Sequence, residues 1–374
     1  AAQVEHILAD SGTRVLFTSP ERLSLLAPAM TRCAVEQVVL VGRHSDGATG
    51  SDAGPDMRPW KVDLGQQAPT FEAAAVIDND AAAILYTSGS TGRAKGVVLS
   101  HRNLIVGAES VSSYLSNTAD DVILSVLPLS FDAGLSQVTT AFAVGAHCVL
   151  TNFLLPAEVP KLCERYGVTG LTCVPPLWVQ LADAAWPAQT AARLRYFANT
   201  GGRMPRPLLE RLRTVFSGAS PYLMYGLTEA FRSTFLDPTQ VDIRPESIGK
   251  AIPNAEVLVL RPDGTPCEPG EEGELVHRGP LVALGYWNDP ARTAERYRPI
   301  VRPGQNWRAP ELAVWSGDTV VADSEGYLYF VGRADEMIKT SGYRVSPTEI
   351  EEAAYASGLV RDVVAFGIPD DTLG

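Results

Sequence analysis

The sequence predicts an α/β fold, a sheet with helices packed on its faces, and two observations carry that prediction. Short apolar runs alternate with helical stretches along the chain. A composition of 45% hydrophobic against 20% charged residues in a chain of 374 suits a globular protein with a sizeable core. Residues 1–8 (AAQVEHIL) read as a helix already under way, and 15–17 (VLF) and 38–41 (VVLV) as strands. Residues 49–59 (TGSDAGPDMRP), rich in Gly, Pro and Asp, read as a surface loop. Residues 81–86 (AAAILY) read as a buried strand, and 100–104 (SHRNL) bring the hydroxyl and amide side chains that suit a helix start. Strands follow at 123–127, 148–150 and 171–174, and a helix at 205–215. Residues 346–349 (SPTE) form a capping box with proline at the first helical position, opening a helix to about Ser357. Residues 361–368 (RDVVAFGI) then read as a strand.

Charge and cysteine usage exclude several function classes. Lys and Arg number 31 against 43 Asp and Glu, a formal net charge of −12, which argues against binding nucleic acid or an anionic membrane surface. Nucleotide phosphates would have to be met by local charge and magnesium. The five cysteines, Cys33, Cys148, Cys163, Cys173 and Cys267, are scattered and never form C-x-x-C, and the five histidines stand alone. Neither a disulfide framework nor a zinc site is expected. No apolar run approaches the roughly 18 to 20 residues of a membrane span, and no basic-then-apolar leader opens the chain. The expectation is a soluble, cytoplasmic protein.

Residues 86–104 (YTSGSTGRAKGVVLSHRNL) are the most informative stretch. Glycines let backbone N–H groups close around phosphate oxygens, Ser and Thr hydroxyls donate further bonds, and Lys95 supplies a point charge. Such a composition also describes a flexible linker. The strand and helix signals on its flanks favour a loop that holds a nucleotide polyphosphate. It is not a GxxxxGK[ST] loop, because Gly96 rather than Ser or Thr follows Lys95.

Four further segments matter. Residues 222–229 (YLMYGLTE) are an apolar strand running into a polar turn. Residues 273–280 (GELVHRGP), with 285–288 (GYWN) after them, are a strand and turn. Residues 315–318 (WSGD) and 323–330 (DSEGYLYF) read as a β-hairpin with an acidic residue at its mouth, and 331–345 (VGRADEMIKTSGYRV) complete the set. Each alone is weak: Glu229 could be a surface acid, Asp318 a turn former, and Arg333 half of a routine ion pair.

In this order the segments closely resemble the AMP-forming adenylating enzymes, the superfamily of acyl-CoA synthetases, peptide-synthetase adenylation domains and luciferases. Within it the text looks like a stand-alone acyl-CoA ligase of the exosortase-associated kind. The resemblance implies a large N-terminal domain of mixed β-sheets flanked by helices, plus a small mobile C-terminal α+β domain. It implies two half-reactions: a carboxylate attacks the α-phosphate of ATP to give an acyl-adenylate and pyrophosphate, and a thiol then takes the acyl group. By resemblance Thr87, Ser88, Gly89, Ser90, Thr91, Gly92 and Lys95 belong to the loop handling the β- and γ-phosphates. Glu229 would bind Mg2+, and Thr228 would hydrogen-bond the α-phosphate; with Lys95 these form the catalytic set. Gly201 and Gly202 would lie along the adenine edge, with Tyr225 and Gly226 against the base. Asp318 would accept from both ribose hydroxyls, with Arg333 nearby. Asp335 matches the hinge of the mobile domain, and Gly342 the loop that approaches the thiol.

The sequence also departs from the family's pattern. Ala94 replaces the loop's usual proline. Only 39 residues follow Asp335, so the family's late catalytic lysine has no counterpart, and the family's first segment is also missing. Relative to the family the chain is expected to be truncated at both ends, with 1–334 as the AMP-binding domain and 335–374 as the hinge and the beginning of the C-terminal domain. Such a chain should bind nucleotide better than it adenylates.

The acyl pocket would be formed by Phe131, Asp132, Gly226 and Leu227. Asp132 either neutralises the ammonium of an amino-acid substrate or caps a helix beginning at Gly134. Partners are then a carboxylic acid, ATP, and CoA or the phosphopantetheine of an acyl carrier protein. The alternatives are an amino-acid adenylating protein that loads a carrier, or a catalytically incomplete nucleotide-binding module.

Overall fold

The computed structural model describes residues 2–42, 55–60, 65–68, 70–87, 93–152, 155–300, 309–333, 338–340, 343–345 and 363–370, with positions 304, 307, 350, 353–354, 357, 359–360 and 372–373. These residues fall into two compact units, 1–77 with 93–96, and 78–92 with 97–374.

In the first unit the strands Val15–Thr18, Gln37–Leu40 and Asp56–Pro59 make a parallel sheet. The helices Ala2–Asp10 and Pro20–Met30 accompany it, and Leu8, Met30, Val38 and Leu40 form its core. The expected surface loop is corrected here: its end, Asp56–Pro59, is an edge strand. An edge position tolerates its polar composition and its terminal proline, because half of the backbone groups need no sheet partner.

The second unit is built on a twelve-stranded sheet. From its edge, His147–Leu150, Val122–Ser125, Gly170–Cys173, Tyr196–Asn199 and Ser220–Tyr225 run parallel. The sheet then turns antiparallel through Thr234–Leu236, Ser247–Ala251, Leu328–Arg333, Glu311–Ala322, Glu272–Arg278 and Glu256–Leu260, with Tyr297–Ile300 also paired to Glu311–Ala322. Buried Trp178, Phe197, Phe216, Leu171 and Leu212 centre the core beneath the parallel half. This is the expected mixed α/β architecture. A smaller sheet joins Gly285–Tyr286, Lys95–Ser100 and Ala81–Thr87. Ala81–Thr87 is a strand as expected but not a buried one, since only Leu85 among its residues is buried.

Two helices position the candidate site. His101–Tyr114 begins at a reciprocal capping box: Ser100 Oγ accepts from Asn103 N at 3.1 Å, and Asn103 Oδ1 accepts from Ser100 N at 2.8 Å. Asn103 Nδ2 also donates to the carbonyls of Pro280 and Val282 at 2.7 and 2.9 Å. The second helix, Asp132–Val144, starts two residues before the expected Gly134, so Asp132 lies inside its first turn and is not the cap. Gly134 lets this helix sit directly on backbone, because a Cβ there would stand 2.0 Å from the Pro128 carbonyl oxygen.

Residues 363–370 carry no strand. Val364, Phe366 and Ile368 stay exposed, so their strand-forming side chains find no surface to pack on. The capping box at 346–349 lies outside the described residues. Among the described residues no helix is long and apolar enough to cross a membrane.

Candidate active site

The strand Ser220–Tyr225 delivers the chain into a tight turn. Ser233 N returns to the Tyr225 carbonyl at 3.2 Å, enclosing the short 3-10 helix Thr228–Ala230. Phe231 turns the chain with φ +57°, an uncommon conformation for a residue with a side chain. Its ring is held in the space left by Gly107, where a Cβ would stand 2.5 Å from Phe231 Cδ1.

Glu229 sits in this turn, only 2% exposed. The Tyr286 hydroxyl donates to its Oε1 at 2.6 Å, and Ala283 N donates to its carbonyl at 2.9 Å. Because Asn103 grips residues 280 and 282, the helix after the glycine-rich loop fixes the segment that carries Tyr286 onto Glu229. Burial and then the Glu229 charge push the Tyr286 hydroxyl far above its ordinary range, so it remains a donor. Tyr297 packs edge-on to Tyr286 at 5.6 Å and is raised for the same two reasons. Its buried hydroxyl has no hydrogen-bond partner among the described residues.

Asp318 is 4% exposed and accepts a hydrogen bond from the Tyr225 hydroxyl. It lies within the strand Glu311–Ala322, across from Arg333 in the last pair of its ladder with Leu328–Arg333, at the open mouth of the hairpin where an acidic residue was expected. The turn lies at 323–327, at the other end of that ladder. Three separate motifs thus meet: Tyr225 from the first, Asp318 from the second, and the backbone of Arg333 from the third.

Gly201 adopts φ +74°, a left-handed conformation that glycine takes without cost. Asn199 Nδ2 donates to the Gly202 carbonyl at 2.8 Å and holds this loop, while its buried Oδ1 has no partner among the described residues. Gly202 and Gly226 also have packing reasons to lack a side chain: a Cβ would come within 3.2 Å of Pro175 Cγ and of Arg232 Cα respectively. Thr87 ends Ala81–Thr87, and its Oγ1 is buried without a partner among the described residues. Lys95 opens Lys95–Ser100, and the preceding Ala94 carbonyl accepts from His6 Nε2 at 2.8 Å. Ser88, Gly89, Ser90, Thr91 and Gly92, like Asp335 and Gly342, lie outside the described residues.

On the candidate acyl side, Phe131 lies 6.3 Å from the ring of Tyr343, and Leu227 is buried in the cluster that holds Tyr286 and Tyr297. Asp132 is buried, and its Oδ1 accepts from Ala133 N at 2.7 Å. Burial raises its pKa, opposed mainly by the charge of Arg232, with Thr228 also hydrogen-bonding the carboxylate.

Sequence reasoning missed Arg232, Tyr297 and the part played by Tyr286. Arg232 is 4% exposed, and its one side-chain hydrogen bond among the described residues runs to Thr200 Oγ1 at 3.3 Å. The available signal was a lone arginine after the apolar pair Ala230 and Phe231. No group of three His, Cys, Asp or Glu among the described residues could cage a metal alone. One buried carboxylate suits magnesium, which keeps waters and shares phosphate oxygens. The orphaned Thr87 hydroxyl likewise suits a phosphate acceptor.

Residues 1–287 match the AMP-binding enzyme family, and the chain belongs to it. The long-chain-fatty-acid–CoA ligase of Salmonella typhimurium is 28% identical over 398 residues, covering all of this chain and 68% of the relative. The feruloyl-CoA synthase of an Amycolatopsis species is 30% identical over 378 residues, covering all of this chain and 69% of the relative. Among solved structures, a long-chain-fatty-acid-CoA ligase from Archaeoglobus fulgidus superposes with a TM-score of 0.77 at 25% identity, covering 98% of this chain and 69% of that one.

Proposed function

We propose that the protein activates a carboxylic acid with ATP as an acyl-adenylate, releases pyrophosphate, and passes the acyl group to the thiol of CoA. The convergence of Tyr225, Glu229 and Asp318 in a chain of the AMP-binding family carries this reading, and the relatives named above are acid–CoA ligases.

In this reading Glu229 holds Mg2+, which supplies positive charge to the phosphates as the α-phosphorus is attacked. Tyr286 positions that carboxylate, so little reorganisation is needed as charge develops. Thr228 offers its hydroxyl to the α-phosphate. Lys95, Thr87 and the loop 88–92 receive the departing pyrophosphate. Asp318, oriented by Tyr225, accepts from the ribose diol, where two carboxylate oxygens match two hydroxyls. Arg333 lies beside it, and Gly201, Gly202 and Gly226 leave room for the adenine. Residues 1–334 form the adenylating body. Residues 335–374, with Asp335 as hinge and Gly342 on the thiol side, begin the domain that turns between half-reactions.

An amino-acid substrate would require Asp132 to bind an ammonium. Asp132 instead already faces Arg232, Thr228 and its own helix N-terminus. The test is acid-dependent exchange of labelled pyrophosphate into ATP by the full-length protein. Exchange is expected with aliphatic or aryl acids and not with amino acids. Exchange with amino acids alone would move the protein to the carrier-loading class. Nucleotide binding without any exchange would make it an incomplete binding module.

A further inference from the structure

A small cavity of about 20 Å3 is lined by residues of the helix Asp132–Val144 and the strands Gly170–Cys173 and Ser220–Tyr225, with Arg232. Ala133, adjacent to Asp132, lines it, and the Arg232 backbone packs on Gly226.

Three buried polar atoms on residues lining this cavity have no hydrogen-bond partner among the described residues: Gln137 Oε1, Thr140 Oγ1 and Arg232 Nε. Gln137 is fixed by its other end, since Nε2 donates to the Thr172 carbonyl at 3.2 Å. An unmet buried polar atom is costly, so something must satisfy these three. A long alkyl chain cannot. The space is that of a single water-sized group. A group there that met all three would accept from the Arg232 N–H and donate to Gln137 Oε1, with Thr140 able to do either. A carboxylate oxygen only accepts. A hydroxyl does both.

We propose that the acid carries a hydroxyl group that enters this cavity, and that Arg232, Gln137 and Thr140 select for it, making the substrate a short hydroxy acid and not a long unsubstituted fatty acid. The proposal rests on the ligase reading above. Its rival is a resident water that stays in place whatever acid binds.

The test measures calorimetric affinities of the full-length protein for unreactive acyl-sulfamoyl adenosines carrying butyryl, 2-hydroxybutyryl, 3-hydroxybutyryl or 4-hydroxybutyryl groups, with AMP as reference. One of the hydroxylated compounds should bind at least about tenfold more tightly than the butyryl compound, because a site built to bond a hydroxyl penalises its absence. Removing Arg232 would strand Asp132 without its neighbouring charge, so the variants are Thr140→Val and Gln137→Met. Each should shrink the hydroxyl preference several-fold, with AMP affinity reporting an intact fold. Butyryl binding as well as every hydroxylated compound, or a preference that survives both substitutions, would overturn the proposal and leave the ligase reading standing. If no acyl compound binds more tightly than AMP, both readings fall together.

Discussion

Glu229→Gln is expected to lower acid-dependent pyrophosphate exchange roughly 100- to 1,000-fold, the cost of losing one electrostatic group aimed at the developing charge. The substitution keeps the shape of the side chain, and the Tyr286 hydroxyl can still donate to the remaining carbonyl oxygen, as it now donates to Oε1 at 2.6 Å. The fold should therefore hold, with the thermal midpoint near that of the unaltered protein, while the negative charge that would hold magnesium disappears. Tyr286→Phe separates placement from charge. It leaves the carboxylate but removes the bond that orients it, a loss of about 1 kcal/mol. The magnesium concentration for half-maximal exchange should rise several-fold, with a smaller change in the maximal rate. Near-normal exchange by Glu229→Gln would remove Glu229 from the chemistry.

His277 should make the protein acid-sensitive. The ring is fully buried on Glu272–Arg278, bonded through Nδ1 to Ser233 Oγ at 2.9 Å, and burial pushes its pKa from 6.5 down to about 3. Below pH 6.5 the unfolded chain takes up a proton that the folded chain refuses. Stability from this group is therefore complete above pH 6.5 and is lost as pH falls toward about 3. By pH 5 the loss amounts to about 2 kcal/mol. Urea unfolding at pH 7 and pH 5 checks it: His277→Gln should be less stable at pH 7 but should lose about 2 kcal/mol less between the two pH values. Parallel loss in both proteins would mean that His277 is not the group responsible.

What the sequence made legible was local chemistry and motif order. Ser100 with Asn103 announces a helix start because the bonds that cap it span three residues. The helix at 205–215 and the parallel strands are equally local, carried by apolar runs of the right length. Asp318 was recognised as a candidate near a hairpin mouth, but that it stands across from Arg333 depends on how two strands register against each other. Asp56–Pro59 was hidden for a similar reason, since a polar edge strand is defined by its neighbour. Tyr286, Tyr297 and Arg232 acquire meaning only where distant segments meet. Nothing in residues 285–288 says that one tyrosine will reach a glutamate 57 residues earlier. Arg232 reads as an ordinary surface cation until the turn after Glu229 buries it.

The central claim, that a carboxylate attacks the α-phosphorus at this site and a thiol then attacks the acyl carbon, has a direct isotopic test. The full-length protein is given ATP, Mg2+, CoA and an accepted acid whose carboxylate carries 18O. The bridging oxygen of an acyl-adenylate comes from the acid and stays with phosphorus when the thiol takes the acyl group. The expected result is one 18O in the phosphate of the AMP released, with unlabelled pyrophosphate. Label in orthophosphate, with ADP as the nucleotide product, would instead mean attack on the γ-phosphorus and would contradict the account.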